Sequence, residues 1–375
     1  MRIAIIGAGI VGATASYQLS KNPEVELVVY DDGVGQATKA AAGIICPWLS
    51  QRRNKDWYRL TARGASYYPE LMEQLKEDGV NRLPYDQVGA LVFKKTSELL
   101  EKLEKIAVER RKEEERIGTL TKIESENISS YVPGWNGTHG AIHCSGGGRV
   151  DGKLLVEQQL FLAKENGASV HEEKVSLVRD ENGKVMVKTN SGLEPFDKII
   201  VSSGAWVKEL IEPLGYYVDV RPQKGQLIEL ELETTEETEK WPVCMLHGEI
   251  DVLPFADGKI IVGATHENDQ NFDLTDSPEL QQKMYEEACE VFPPLKQAKW
   301  LGSRIGTRAY TSDFLPFFGS VPGEETLFVA SGLGSSGLTS GVWIGALLAQ
   351  LSLGDTPSFD VDSYRPNEYI QKKYE

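Results

Sequence analysis

Three glycines spaced G-x-G-x-x-G, at Gly7, Gly9 and Gly12, stand between the apolar run of residues 3–6 and a helical stretch over residues 13–20. Ile10 and Val11 fill the variable positions. This spacing suits binding of a pyrophosphate. The first glycine makes a tight turn, the second lets the backbone approach the phosphates, and the third lets helix and strand pack closely. The helix start adds N–H groups and partial positive charge. Asp31 closes the next apolar run, about 20 residues beyond the last glycine, where a ribose-binding carboxylate is expected. Asp32 is the competing acid, or else a turn residue beside Gly33. Together these residues predict dinucleotide binding.

A second glycine-rich helix start lies near the other end of the chain, in Gly332-Leu333-Gly334-Ser335-Ser336-Gly337-Leu338-Thr339, between an apolar strand and an apolar helix. A flavin that takes hydride at N5 gains negative charge around N1 and the C2 carbonyl, and a helix N-terminus aimed there stabilises it. Two such starts fit one end on the pyrophosphate and one on the ring, which points to FAD. The small residues of 38–44 would let the backbone lie along the far half of so long a cofactor. An NAD-dependent dehydrogenase, which needs only the first motif, is the alternative.

The remaining motifs carry a resemblance. Residues 140–151 contain Gly-Ala-Ile-His and Gly-Arg-Val-Asp. Residues 200–206 read Ile-Val-Ser-Ser-Gly-Ala-Trp, Pro222 precedes Lys224-Gly225-Gln226, and Leu253-Pro254 is followed by Val262-Gly263-Ala264-Thr265. Gly306, Arg308, Thr311, Asp313, Pro316 and Gly319 form one further spaced set. In this order, over nearly the whole length, the chain resembles the D-amino-acid oxidase superfamily of flavoproteins, nearest its glycine oxidase and D-amino-acid dehydrogenase branch.

That resemblance implies an FAD domain of the glutathione-reductase type and an antiparallel-sheet substrate domain. It assigns Gly7 to Gly12 with Asp31 to the ADP half, and Ala41, Ala42, Gly43 and Ile44 to the pyrophosphate and flavin. It puts the Val175 backbone on the adenine, Ser203, Gly204 and Trp206 beside the cofactor, and Gly334, Ser335, Ser336, Gly337, Leu338 and Thr339 over the pyrimidine end of the ring. Arg308 matches the arginine that clamps the substrate carboxylate. A bidentate guanidinium there fixes both oxygens and aims the α-C–H at the flavin. Three positions depart from relatives. Asp251 replaces a tyrosine that assists carboxylate binding and is read as a surface residue, the other reading being contact with a cationic substrate tail. Ile261 replaces an oxygen-activating lysine of the sarcosine oxidases. Gly306 replaces their flavin-anchoring cysteine, so the FAD is expected to be non-covalent.

The elements that must position these residues read as α/β. Residues 2–6 and 25–30 are strands around the first helix, and 57–79 and 97–117 are helical. A hairpin turns at residues 181–183, and a buried strand runs over 197–201. Alternating runs at 226–232, 251–255 and 259–262 suit an antiparallel sheet. A strand at 326–330 and a helix at 342–351 close the fold. Residues 1–80, 140–220 and 300–375 are assigned to the FAD domain, and 81–139 with 221–299 to the substrate domain.

Composition narrows the partners. The 375 residues carry a net charge of −16, against nucleic-acid or anionic-membrane binding. Arg52-Arg53 and Arg110-Arg111-Lys112 are read as solvated faces. No secretory signal and no run of roughly 18 apolar residues is read, so a cytoplasmic chain without a transmembrane segment is expected. Cys46, Cys144, Cys244 and Cys289 lie too far apart in sequence for a zinc or dithiol motif. His247, His266 and Tyr310 are near-pocket candidates without assigned roles. The expected reaction passes hydride from the C–N carbon of glycine, sarcosine, a D-amino or an imino acid to flavin N5. The imino acid then hydrolyses to an oxo acid, and oxygen or another acceptor reoxidises the flavin. A flavoprotein subunit of a multi-chain amine or proline dehydrogenase is the other reading, and self-association stays open.

Overall fold

The structure is a computed structural model, described over residues 1–268 and 270–373. Period-two alternation in the first strand builds the framework. In Arg2–Ile6, Ile3 and Ile5 face one core, while Ala4 and Ile6 face another. Leu27 and Val29 alternate with Val28 and Tyr30 in the same way in Glu26–Asp31. A strand apolar on both faces must be covered on both. The first core is roofed by helices Ile10–Ser20, Gly152–Glu165 and Gly337–Leu353. The second lies under the three-stranded sheet made by Ser176–Arg179, Val185–Thr189 and Gly192–Glu194.

The central sheet has six strands in the order 317–320, 327–331, 198–201, 2–6, 26–31, 169–172. All neighbours are parallel except the first pair. The loops at the carboxyl ends of the middle strands therefore converge, where ligands bind in open α/β sheets. Small residues let the covering helices close in. A Cβ on Gly345 would come within 2.5 Å of the Val11 carbonyl oxygen, and one on Gly64 within 2.2 Å of that of Thr339.

A second sheet of eight strands runs 299–310, 221–231, 259–263, 251–254, 243–245, 90–93, 141–144, 120–123. It is antiparallel except between 243–245 and 90–93. One face, with Leu91, Ile228, Cys244, Val252 and Val262, packs on the helix Pro278–Val291 through Met284 and Ala288. The other, with Val92, Leu227, Leu253 and Ile261, turns toward the six-stranded half of the molecule. The fold is thus the expected α/β one, a dinucleotide-type sheet beside an antiparallel sheet. Strands Ala141–Cys144 and Lys299–Tyr310 differ from the sequence grouping, because both are hydrogen-bonded into the eight-stranded sheet.

Other differences are local. The helix over 57–79 is the single helix Lys55–Glu77, with Pro69 inside it. The one over 97–117 ends at Arg111, and residues 115–117 form a separate 3-10 turn. Arg110 is not solvated: its Nη1 donates to the Trp48 and Ser50 carbonyls, and its guanidinium lies 4.0 Å over the Tyr58 ring. Gly334–Leu353 is long and apolar enough to cross a membrane, contrary to the sequence expectation, but 78% of its apolar window is buried inside the fold. Wedged between helices 10–20 and 55–77, it is apolar all round because it is a core helix.

Candidate active site

Two cavities meet at the carboxyl ends of the central strands, with Ala37, Thr38, Arg308, Gly334 and Gly337 in the walls of both. The first, about 220 Å³, is lined by Gly7, Gly9, Ile10, Val11, Asp31, Asp32, Val175, Ser203, Gly204 and Trp206, among others. The second, about 570 Å³, is lined by Ala41, Ala42, Gly43, Ile44 and the whole of 334–339. Apart from Gly12, which is packed behind the first turn, every residue assigned from the sequence to cofactor or substrate carboxylate lines this one cleft.

The first turn is built by exclusion of side chains. Gly7 has φ +97° and its N–H donates to the Tyr30 carbonyl at 2.8 Å. A Cβ on Gly7 would meet Ser202 backbone atoms at 2.7 Å, and one on Gly12 would lie 1.9 Å from the Gly7 carbonyl oxygen. The Thr38 hydroxyl accepts the Ile10 N–H at 3.0 Å, tying the helix start to the small-residue segment. Asp31 accepts the Ala8 N–H at 2.5 Å, the Gly33 N–H at 2.7 Å, and the Gln36 amide. Asp32 accepts the Val34 N–H at 3.2 Å, a turn-forming bond.

The far helix start is shaped in the same way. Gly334 has φ +53°, and a Cβ there would strike the Tyr310 ring at 2.1 Å. Tyr310 is thereby a scaffold residue, its hydroxyl accepting the Ser335 N–H at 3.0 Å. Trp57 donates to the Ser336 hydroxyl at 3.2 Å, and Thr339 donates to the Ile44 carbonyl at 3.3 Å. Gly43 has φ +102° and passes so close to the Val150 carbonyl that a Cβ would come within 2.1 Å.

Buried polar groups left without partners mark where a ligand would bond. Ser203 Oγ, Thr307 Oγ1 and Gln36 Oε1 are buried and unpaired among the described residues, and their residues all line the first cavity. A glycine-lined cradle with unsatisfied polar atoms fits the pyrophosphate and ribose portions of a dinucleotide.

Arg308 stands where the cavities meet. Its strand, Lys299–Tyr310, pairs with Arg221–Glu231, and its guanidinium lies over Gly225, where a Cβ would touch Nη1 at 2.6 Å. Nη1 donates to the Thr265 carbonyl at 2.8 Å and to Gln223 Oε1 at 3.2 Å. No carboxylate pairs with it among the described residues. Burial pulls its pKa down, but a guanidinium stays charged. It is a fixed cation with room for an anion.

The second cavity also holds side chains that the sequence reading left elsewhere. Asp251, read as a surface residue, lines the cavity wall, and burial pushes its carboxyl pKa up to about 7. His266 lines it too, its pKa lowered by burial and then by Arg308. Arg52, read as part of a solvated face, reaches the cavity and lies 4.6 Å over the Trp57 ring. Lys94 was not foreseen. It lines the cavity half-buried, without an ion-pair partner among the described residues, and burial lowers its pKa. His247 is exposed instead, its ring 4.5 Å from that of His139. Cys46, Cys144, Cys244 and Cys289 are buried and free.

The sequence model of the DAO family, FAD dependent oxidoreductase, matches residues 2–351. An uncharacterized oxidoreductase, YurR, of Bacillus subtilis (strain 168) is 40% identical over 96% of this chain and 97% of its own length. The glycine oxidase of Pseudomonas aeruginosa PAO1 is 28% identical over 97% of this chain and 98% of its own. Among solved structures, iminodiacetate oxidase (IdaA) from Chelativorans sp. BNC1 superposes with a TM-score of 0.93 at 35% identity, covering 97% of this chain and 99% of that one. The family match decides for FAD over the nicotinamide alternative that the first glycine motif left open.

Proposed function

Because the chain belongs to the DAO family of FAD-dependent oxidoreductases, we propose that it oxidises the C–N bond of a small amino acid such as glycine, sarcosine, a D-amino acid or an imino acid. The product is an imino acid that hydrolyses to an oxo acid. The observation that carries this reading is Arg308, a part-buried guanidinium without a carboxylate of its own, set where the two cavities join. The names of similar proteins, glycine oxidase and iminodiacetate oxidase, agree with such a substrate.

Bound FAD supplies the hydride acceptor. Gly7, Gly9, Ile10, Val11 and Gly12 would hold its pyrophosphate, Asp31 or Asp32 its ribose, and Val175, Ser203, Gly204 and Trp206 its adenosine side. Ala41, Ala42, Gly43, Ile44 and residues 334–339 would hold the ring. No thiol stands at 306 to anchor the ring covalently. A Cβ on Gly306 would already meet Ala40 Cβ at 2.8 Å, which supports non-covalent binding. Arg308 then takes the substrate carboxylate through two parallel N–H donors, which limits rotation of the α-carbon. Neutral His266 beside it adds no second positive charge where the amine must lie. A cytoplasmic location goes with the free cysteines. Oxygen or another acceptor would reoxidise the cofactor.

Lys94 and Arg52 support a second reading in which the substrate bears a further acidic group, as iminodiacetate does. An unpaired ammonium on the cavity wall is ready for one. Lys94→Met is expected to raise the KM for iminodiacetate about tenfold, in line with the worth of one charge-assisted contact, and that for sarcosine much less. Steady-state assays with both compounds check this. The whole proposal is tested by mixing the purified flavoprotein anaerobically with glycine, sarcosine, D-alanine, L-proline and iminodiacetate. Rapid loss of the oxidised flavin absorbance with at least one is the expected result. No response to any of them removes the amino-acid reading.

A further inference from the structure

One row of the eight-stranded sheet decides what the second cavity recognises. Val92 pairs with Met245, Met245 with Asp251, Asp251 with Gly263, and Gly263 with Leu227. Directly opposed residues share a face. Val92, Met245, Asp251 and Gly263 all line the second cavity. Asp251 is the one charged residue in this apolar row. Beside it Gly263 lies so close to Leu227 that a Cβ there would meet Leu227 Cβ at 2.4 Å, so no side chain stands next to Asp251 at this position. Asp251 Oδ1 accepts the Leu246 N–H at 3.0 Å, and no lysine or arginine pairs with the carboxylate among the described residues. This half-buried carboxylate, with a single backbone donor and no cation, keeps acceptor capacity free toward the cavity.

We propose that Asp251 is the amine-reading group of the site, accepting N–H bonds from the substrate ammonium while Arg308 holds the carboxylate. This rests on the amino-acid reading above. It makes the cavity select zwitterions over carboxylates that lack an amine.

Burial pushes the Asp251 carboxyl pKa up to about 7. An ammonium pairs with the ionised form, so binding of an amine ligand drives this pKa down. Affinity therefore rises as pH rises through about 7 and levels off above it. Other titratable or charged groups in the walls of the same cavity include Glu249, His266, Lys94, Arg52 and Arg308, with the Cys244 thiol on the neighbouring strand. His266 is pulled below the ordinary imidazole range, and burial pushes Cys244 up out of the range concerned.

The test uses two matched ligand pairs on the FAD-loaded enzyme, sarcosine with methoxyacetate and iminodiacetate with diglycolate, each differing only in amine against ether oxygen. Between pH 5.5 and 9, in the wild type and in Asp251→Asn, dissociation constants of the ethers are read from flavin absorbance shifts, and those of the amines from saturation of the anaerobic flavin-reduction rate with ligand concentration. The expected result is a roughly 10- to 100-fold loss of amine-ligand affinity in Asp251→Asn, with the ether ligands nearly unchanged. The pH limb should be present for wild type with the amines and absent in the variant. Equal losses for amine and ether, no loss for either, or a limb that persists in Asp251→Asn overturns the assignment. The wild-type comparison of amine with ether across pH needs no variant, and a limb shared by both ligands also overturns it. If neither member of either pair perturbs the wild-type flavin, the Asp251 assignment is overturned, and the amino-acid reading fails with it only when glycine, D-alanine and L-proline are also without effect. Amine binding without a contribution from Asp251 leaves that reading standing.

Discussion

Replacing Arg308 by methionine is expected to lower kcat/KM for the amino-acid substrate on the order of 10²–10³-fold while leaving FAD content near that of the wild type. Truncating one partner of a buried charge pair costs about 2–5 kcal/mol, and each 1.4 kcal/mol is a factor of ten. The loss should fall on both parameters. KM rises because the carboxylate is no longer held, and kcat falls because an untethered α-carbon seldom points its C–H at the acceptor. Arg308→Lys should recover only part, since a single ammonium cannot reproduce the two-pronged grip. The Thr265 carbonyl loses its 2.8 Å donor in the methionine variant, which adds a stability loss of about 1–3 kcal/mol. Anaerobic flavin reduction measured beside a thermal melt separates the two effects. A variant that reduces its flavin at the wild-type rate would remove Arg308 from the site.

Gly12→Ala is expected to abolish FAD retention. Gly12 lies in the helix Ile10–Ser20, where alanine is intrinsically the better helix former by about 1 kcal/mol. Its Cβ, however, would lie 1.9 Å from the Gly7 carbonyl oxygen and 2.6 Å from Ser202 Oγ. The first obstacle is backbone and cannot rotate away, so either the turn or the helix must shift. Such overpacking costs about 1–3 kcal/mol or more, and it falls on the atoms that would cradle the pyrophosphate. The measurement is the flavin-to-protein ratio after purification together with the far-UV spectrum. The expected outcome is a colourless protein with near-native secondary structure. Full flavin occupancy would mean that the turn is not the cradle.

The glycine turn was legible in the sequence because its chemistry is local. Six consecutive residues carry both the conformational demand at Gly7 and the packing demand at Gly12. The same holds for Gly334, whose left-handed backbone is announced by glycine itself. Asp251 was not legible. At the head of an alternating run an acid looks like the solvent side of a strand end. Only its pairing with Gly263 and Met245, some 12 residues ahead and 6 behind, shows that its side faces the cavity. Lys94 and Arg52 were hidden for a similar reason, since charges beside a strand or helix start are ordinarily solvated. Residues 300–310 were assigned with the cofactor-domain sequence that follows them, while the hydrogen bonds of their strand go to residues 221–231. Pairing across such separations leaves no periodic trace.

The strand order of the central sheet has a consequence for biosynthesis. Residues 2–6 are flanked by 26–31 and 198–201, and 198–201 in turn awaits 327–331. The first glycine turn therefore emerges from the ribosome early but lacks its closing wall until almost the entire polypeptide has been made. A nascent fragment ending before the last helix exposes the apolar surface that Gly337–Leu353 would cover. Such fragments are natural clients for chaperones, and a cofactor bound only by the folded protein would stabilise that protein by mass action.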